Sequence, residues 1–452
     1  MRCCLLHHIN KPHSYYIITL GCQINDHDSE LLAGQLKEEG LFPAPCIDTA
    51  DLLIINTCAV RKKPEDKVST LLGELIPWKK ERPDRMLAVG GCMVQQRDVA
   101  DRLARKFKHV DILFGTHVLP HFTRLLEMAR NTGKIVIETG EVDLDREGLP
   151  VSRKNRFQAW VPVIYGCNNF CSYCIVPHVR GRERSRPLHQ IVNEVKELGQ
   201  SGYREVTLLG QNVNAYGKDL AGENRFHQLL DELSKVPEIS RIRYMTSHPR
   251  DFEERIIDVI ARSENICEHF HLPIQSGSNR ILKKMNRGYT REYYIRLVET
   301  IREYIPDAAI TTDFIIGFPG EEEEDFMETM ALIEEIRFDA AFSFLYSERR
   351  GTPASKMKNK IPREVKRARI MDLNRKQQEI GLQINSELVG SVAEVLVEGV
   401  SKNDPHKLTG RTRTNKLVHF KGNPDMEGHL IDLRIEQAGT WHLSGEPEKE
   451  RI

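Results

Sequence analysis

The run Asp51-Leu52-Leu53-Ile54-Ile55 is strand-length and almost wholly apolar. A strand with no polar alternation is buried on both faces, which calls for a parallel sheet covered by helices on each side. The surrounding chain agrees. Strands are expected at residues 15–20, 86–89 and 111–114, with amphipathic helices at 28–39, 64–80, 95–108 and a further one ending at Arg130. Strands alternating with helices over short connections predict an open parallel α/β sheet domain spanning 14–130.

Three cysteines occupy equivalent places in that pattern. Gly21-Cys22, Asn56-Thr57-Cys58 and Gly90-Gly91-Cys92 each follow a strand immediately. The C-terminal strand ends of an open parallel sheet form one edge, where ligands bind, so three cysteines distant in sequence converge there. Three independent buried thiols are the plainer alternative; the repeated placement favours a metal or cluster site. The glycines before Cys22 and Cys92 let backbone amides approach cluster sulfurs closely. Cys3, Cys4, Cys46 and Cys267 follow no such rule and read as tail or packing residues.

Residues 131–156 carry Gly140, Gly148, Pro150 and a polar run, and are expected to be a linker. A longer α/β pattern follows. Strands are expected at 160–165, 205–209, 242–246, 270–274, 310–316 and 341–346, with helices between them. Six such units predict a partial β/α (TIM-like) barrel over 153–385, with its chemistry at the C-terminal strand ends. The first strand end carries Cys167-Asn168-Asn169-Phe170-Cys171-Ser172-Tyr173-Cys174. Three thiolates on one tight loop can hold three irons of a cubane and leave the fourth iron open. A zinc knuckle with His178 as fourth ligand remains the alternative. The other strand ends carry Gly210–Asn214, Ser247-His248-Pro249, Gln275-Ser276-Gly277-Ser278, Gly317-Phe318-Pro319-Gly320 and Tyr346-Ser347. Each alone reads as a turn; together they ring one mouth with amides and hydroxyls, as a polar cofactor needs.

Arg180, Arg182, Arg184 and Arg186 alternate with other residues. In an extended segment all four would point to one side and suit a phosphate backbone, although a solvated surface loop is the ordinary reading of such a run. Beyond a charged helical stretch at 363–385, runs at 392–397, 416–420 and 430–435 predict a small, OB-like β-barrel over 386–449. Its Lys407, Arg411, Arg413, Lys416 and Lys421 fall in a stretch with no acidic residue, beside His419 and Phe420, a pattern that suits RNA. The patch is local, because the 452-residue chain has a formal net charge of zero and no global field draws it to nucleic acid. The longest apolar runs are too short to span a membrane. The N-terminus, with one basic residue and no apolar core, does not read as a signal peptide, so a cytoplasmic protein is expected.

The cysteine loop at 167–174 resembles the signature of radical S-adenosylmethionine enzymes. Cys22, Cys58 and Cys92 are similar to the N-terminal cluster site of their methylthiotransferase family, and residues from about 388 resemble its TRAM domain. Gly21-Cys22-Gln23-Ile24-Asn25, the arginine row and Gly410–Lys416 are most similar to the members that act on tRNA. The resemblance implies two 4Fe–4S clusters, one on Cys167, Cys171 and Cys174 with S-adenosylmethionine at its open iron, the other on Cys22, Cys58 and Cys92. It implies a 5′-deoxyadenosyl radical that takes hydrogen from carbon 2 of N(6)-dimethylallyladenosine in the tRNA anticodon stem-loop, then sulfur insertion, with a second S-adenosylmethionine giving the methyl group. An unactivated C–H bond is beyond side-chain acid–base chemistry, so the cofactor must carry that step. Tyr173, Gln275, Ser276, Gly317, Phe318, Pro319 and Gly320 are the expected cofactor contacts. Arg180, Arg182, Arg184, Arg186, Arg411, Arg413 and Lys416 are the expected RNA contacts. An external electron donor and a monomer complete the expectation. Family members acting on threonylcarbamoyl-adenosine or on a ribosomal-protein aspartate are the near alternatives; a non-catalytic iron–sulfur protein is the distant one.

Overall fold

The computed structural model describes residues 11–59, 62–140 and 146–448, with side chains from residue 67 onward in the helix that begins at Lys62. Cys3, Cys4 and residue 449 lie outside the described residues. The chain forms two compact units. One comprises Met1–Asn155, Tyr165–Asn168 and Cys174–Glu183; the other comprises Arg156–Ile164, Asn169–Tyr173 and Arg184–Ile452.

In the first unit, strands Phe42–Pro43, Ser14–Thr19, Leu52–Thr57, Met86–Gly91, Ile112–Phe114 and Val136–Glu138 lie side by side in that order, all parallel. Every residue of Leu52–Thr57 is buried. Leu52 and Ile54 pack with Leu31, Leu36 and Phe122 on one face; Leu53 and Ile55 pack with Leu72, Trp78 and Val99 on the other. Fully burying each such side chain contributes about 1.5–3 kcal/mol. The two outer strands went unread because they are two and three residues long and partly exposed.

Two expectations need correction here. The first helix runs from Gln23 to Glu38, starting directly after Cys22 rather than at Asp28. Its opening turns bury Asn25, His27, Asp28, Ser29 and Glu30, so apolar periodicity could not mark its start. The expected linker is part of this unit: Val136–Glu138 is a sheet strand, Leu149 and Val151 pack on the core, and Arg146 is buried against Asp28. Residues 141–145 lie outside the described residues.

The second unit holds the later β/α pattern. Strands Gln158–Pro162, Glu205–Leu209 and Arg241–Tyr244 form one parallel sheet; His269–His271, Ala309–Ile316 and Ala340–Leu345 form another. A single parallel bridge, Ile242 to Ile266, joins them, so the six strands make a split barrel. Helices between the strands bury their apolar faces against this sheet through Ile191, Leu229, Ile256, Leu297 and Leu332. A long helix, Arg363–Ser386, leads to a closed five-stranded barrel: Val392–Val400, Leu408–Thr412, Leu417–Phe420, Leu443–Pro447 and Leu430–Ala438 in spatial order. Its core is Val395, Val397, Leu408, Val418, Phe420, Leu433, Ile435 and Leu443. Among the described residues no helix is long and apolar enough to cross a membrane.

Candidate functional site

The three cysteine-bearing strands of the first unit are immediate neighbours in the sheet, so Cys22, Cys58 and Cys92 leave it along one edge. Adjacent strands stand about 4.8 Å apart, which brings the cysteines together without further contrivance. Cys92 feels both others electrostatically: burial pushes its thiol up to about 12, Arg180 opposes that, and Cys58 and Cys22 add to it. Gly91, at φ +94°, lies so close to the Thr57 backbone and Asn56 Oδ1 that a side chain there would collide with both. Asn25 and Asn56 lace the edge together. Asn25 donates to the Thr57 carbonyl at 2.9 Å, and Asn56 donates to the Asn25 carbonyl at 2.9 Å.

Arg180 stands at the centre of this edge. It ends the helix Val176–Arg180 and is 5% exposed. Its Nε–H donates to Cys92 Sγ at 3.1 Å, and its Nη2 donates to Asn25 Oδ1 at 3.1 Å and pairs with Asp28 at 2.7 Å. Asp28 is held from its other side by Arg146 at 2.6 Å, and the two arginines hold its carboxyl below the usual range against the opposing effect of burial.

This takes Arg180 out of the expected arginine row. The segment is not one extended strand, and Arg180 faces a carboxylate and a thiol inside the protein, not RNA. Arg186 is also engaged, donating to the Pro162 carbonyl and to Glu194 at 2.8 Å each. Arg182 is exposed and Arg184 half-buried.

The loop 167–174 alternates between the two units: Cys167 and Cys174 belong to the first, Cys171 to the second. In the first, the Cys167 N–H donates to the Gly181 carbonyl at 3.1 Å, and Gly166, at φ +71°, leaves no room for a Cβ against the Arg182 carbonyl. In the second, Cys171 is buried and accepts from Arg287 Nη1 at 3.3 Å. Arg287 also donates to the hydroxyls of Tyr173 at 3.3 Å and Tyr289 at 2.9 Å. No local pattern points to Arg287, which lies in a loop after a short helix, remote from the cysteines in the chain.

Around the strand ends of the second unit the backbone is strained. Phe170, Thr246 and Gln275 all have positive φ, at 45°, 63° and 79°. For a β-branched threonine this is a genuine outlier, and such positions cluster at ligand sites. Four polar atoms at these ends, Gln211 Oε1, Ser247 Oγ, His248 Nε2 and Tyr346 Oη, are buried without a hydrogen-bond partner. Buried polar groups are normally satisfied, so these atoms are open to a polar partner. Gln275 and Ser276 are buried at the same mouth. Gly317 donates its N–H to both carboxylate oxygens of Glu321, at 3.0 and 3.1 Å, and the Gly320 N–H goes to the Asn359 carbonyl. Phe318 is fully buried against Tyr346, ring centroids 5.4 Å apart.

The basic stretch of the small barrel is likewise redirected. Arg413 grips Glu268 and the carbonyls of Glu264 and Ile266; Lys416 pairs with Asp339 at 2.6 Å. From the other side, Arg241 and Arg243 donate to carbonyls of Arg411, Glu394, Thr412 and Arg413. Arg413 and Lys416 thus fasten the barrel to the strand-starting edge of the split barrel. Arg411 pairs with Glu398 at 3.1 Å and is about a third exposed.

Among the described residues, no three His, Cys, Asp or Glu side chains close round one point as a single metal ion requires. That does not bear on a cubane, whose thiolates stand at separate corners. The donor chemistry fits an iron–sulfur group: soft sulfur ligands, four of the six buried, with guanidinium N–H groups on two of the sulfurs. The ring of orphaned polar atoms fits a polar cofactor.

Comparison with known proteins agrees. Residues 161–333 match the radical SAM superfamily, 14–115 match Uncharacterized protein family UPF0004, and 386–447 match the TRAM domain. Membership of the radical SAM superfamily implies a 4Fe–4S cluster and S-adenosylmethionine. In solved structures, the chain is similar to the radical S-adenosylmethionine methyltransferase TsrM from Kitasatospora setae, with TM-score 0.55 and 16% identity over 85% of this chain and 81% of that one. That likeness speaks for the fold alone. Among curated proteins, the tRNA-2-methylthio-N(6)-dimethylallyladenosine synthase of Carboxydothermus hydrogenoformans is 53% identical over 96% of this chain and 98% of its own length. The protein of the same name from Natranaerobius thermophilus is 52% identical over 98% of each. On that relationship the chain belongs to the tRNA-2-methylthio-N(6)-dimethylallyladenosine synthase family.

Proposed function

We propose that this protein is a tRNA-modifying methylthiotransferase, adding a methylthio group at carbon 2 of N(6)-dimethylallyladenosine next to the anticodon. The observation that carries this reading is the identity of about one half with synthases of that name over nearly the whole chain. The basic stretch of the small barrel adds less than the sequence suggested, because Arg413 and Lys416 are committed within the second unit.

Cys167, Cys171 and Cys174, within eight residues, would hold one 4Fe–4S cluster; Cys22, Cys58 and Cys92 would hold the second. With S-adenosylmethionine bound, the first would supply radical chemistry able to reach an unactivated carbon, and the second would supply the sulfur chemistry. The chain's own residues bind and orient. Arg287 donates to the Cys171 sulfur, keeping a positive charge beside it and turning Tyr173 through its hydroxyl. Ser247, His248, Gln211 and Tyr346 offer polar atoms to the cofactor at the strand ends. His248 is held neutral by burial and by Arg287, Arg250 and Lys218; its Nδ1 accepts from the Arg250 N–H, so its proton sits on the unpartnered Nε2. An electron donor outside the chain completes the system.

Anaerobic reconstitution with iron and sulfide tests this. About eight irons per chain and release of 5′-deoxyadenosine on reduction are expected. With prenylated tRNA added, the 2-methylthio nucleoside should appear by mass spectrometry of digests. A zinc-loaded, colourless protein, or no cofactor cleavage, would refute the enzyme reading; cleavage with unmodified tRNA would refute the substrate.

A further inference from the structure

We propose that Arg180 is the positioning residue of the N-terminal cysteine site: its guanidinium holds the Cys92 thiolate in place and compensates the negative charge of the group bound there. This rests on the reading of Cys22, Cys58 and Cys92 as ligands of a second cluster.

Three observations carry it. First, one buried side chain touches two of the three cysteines' surroundings. Arg180 Nε–H points at Cys92 Sγ, and its Nη2 reaches Asn25 Oδ1, which lies 3.5 Å from Cys22 Sγ. Second, among the described residues these buried charges do not cancel: Arg180 and Arg146 share the carboxylate of Asp28, and all three side chains are at most 5% exposed. A buried surplus of positive charge is strongly destabilising unless an anion answers it. Three thiolates on a cubane carry net negative charge, greater by one when the cluster is reduced, and so supply that anion. Third, Arg180 Nη1 is buried with no hydrogen-bond partner among the described residues, although a guanidinium has five N–H donors in a rigid fork. A donor left over in the same fork that already serves Cys92 suits an inorganic sulfide or a second thiolate.

The position also has a logic in the chain. Arg180 lies six residues after Cys174, at the end of the short helix Val176–Arg180, whose Val179 and the preceding Ile175 pack with Cys92 and Ala59. The segment that follows one cysteine site thus delivers the charge for the other. Because a cation beside an iron–sulfur group favours its reduced form, Arg180 raises the reduction potential of the cluster it serves.

The test uses the full chain with Cys167, Cys171 and Cys174 all changed to Ala, reconstituted anaerobically so that only the N-terminal site can hold iron. Iron and sulfide content, the EPR spectrum of the reduced form and the midpoint potential are then compared with and without Arg180→Gln. The expected result is a more negative potential and an altered EPR spectrum in Arg180→Gln, with Arg180→Lys recovering part of the potential because it restores the charge but not the Nε–H. Identical potential and spectrum in all three proteins would overturn the proposal. Loss of iron with an unchanged potential in what remains marks a merely structural role and overturns it equally. If Arg180→Gln does not fold, Arg180→Lys decides: an altered EPR spectrum supports the directed hydrogen bond, an unaltered one refutes it. A background protein that binds no iron at all would instead refute the second-cluster reading itself, and the proposal with it.

Discussion

Replacing Arg413 by Ala separates two roles that the sequence leaves indistinct. In the structure Arg413 Nε donates to both oxygens of Glu268, at 3.1 and 3.0 Å, Nη2 to Glu268 again at 2.5 Å, and the two Nη groups to the carbonyls of Glu264 and Ile266 at 2.6 and 2.8 Å. Hydrogen bonds to charged groups contribute about 1.5–3 kcal/mol each when buried. Exposed ion pairs contribute about 0–1 kcal/mol. With about a quarter of each side chain exposed, the fork lies between these limits, and about 2 kcal/mol is a fair net loss on truncation. A protein of two compact units does not unfold in one step, so the readout must be local. Hydrogen–deuterium exchange of peptides from 386–448 reads the opening of the barrel directly. A loss of about 2 kcal/mol speeds exchange about thirtyfold there, while the central strand Leu52–Thr57 stays protected. Arg413→Lys should restore only part, since an ammonium cannot reproduce the fork. An RNA contact predicts the reverse: unchanged exchange, weaker RNA binding, and a salt dependence shallower by about one charge. That second outcome would refute the docking argument.

Three further outcomes are expected. Cys22→Ala should lower the iron bound after reconstitution from about eight to about four per chain, by colorimetric assay; undiminished iron would remove Cys22 from the ligand set. Gly91→Ala, at φ +94° against Thr57 and Asn56, should cost about 2 kcal/mol or more and lower the melting temperature of the first unit, and an unchanged melt would show that this edge is not tightly built. His269 is buried, and its pKa is pushed well below the usual value, first by desolvation and then by His271 and nearby cations. The unfolded chain binds the proton that the folded chain refuses. Stability from this residue is therefore full above about pH 6.5 and is lost as pH falls toward the depressed folded-state value. His269→Asn should flatten the acid side of the stability curve by up to one proton's slope, about 1.4 kcal/mol per pH unit. Equal slopes for both proteins would contradict this.

Leu52–Ile55 shows how far local pattern reaches. Four consecutive apolar residues can be buried on both faces only inside a covered parallel sheet, and the structure has them in its third sheet position with clusters on either side. The strand-end placement of Cys22, Cys58 and Cys92 was legible for the same reason: side-chain period and strand polarity are local properties, and they bring these residues to one edge whatever the rest of the chain does. The six strands of the split barrel and the first, third and fourth strands of the small one were equally legible. Its second and last strands, Leu408–Thr412 and Leu443–Pro447, were not, being broken by Gly410 and Gly445 and poor in apolar residues.

Charge was another matter. Arg180 and Arg413 look alike in sequence, each an arginine in a basic stretch, and both read as RNA contacts. Their partners lie far off in the chain: Asp28 and Cys92 for Arg180, Glu268 for Arg413. Arg287 was invisible on the same ground, its sulfur partner Cys171 lying far back along the chain. An apolar residue announces its burial by its own chemistry and by its neighbours' spacing. A guanidinium is at home in water, on a phosphate or beside a buried thiolate, and only the fold brings the partner that decides among them.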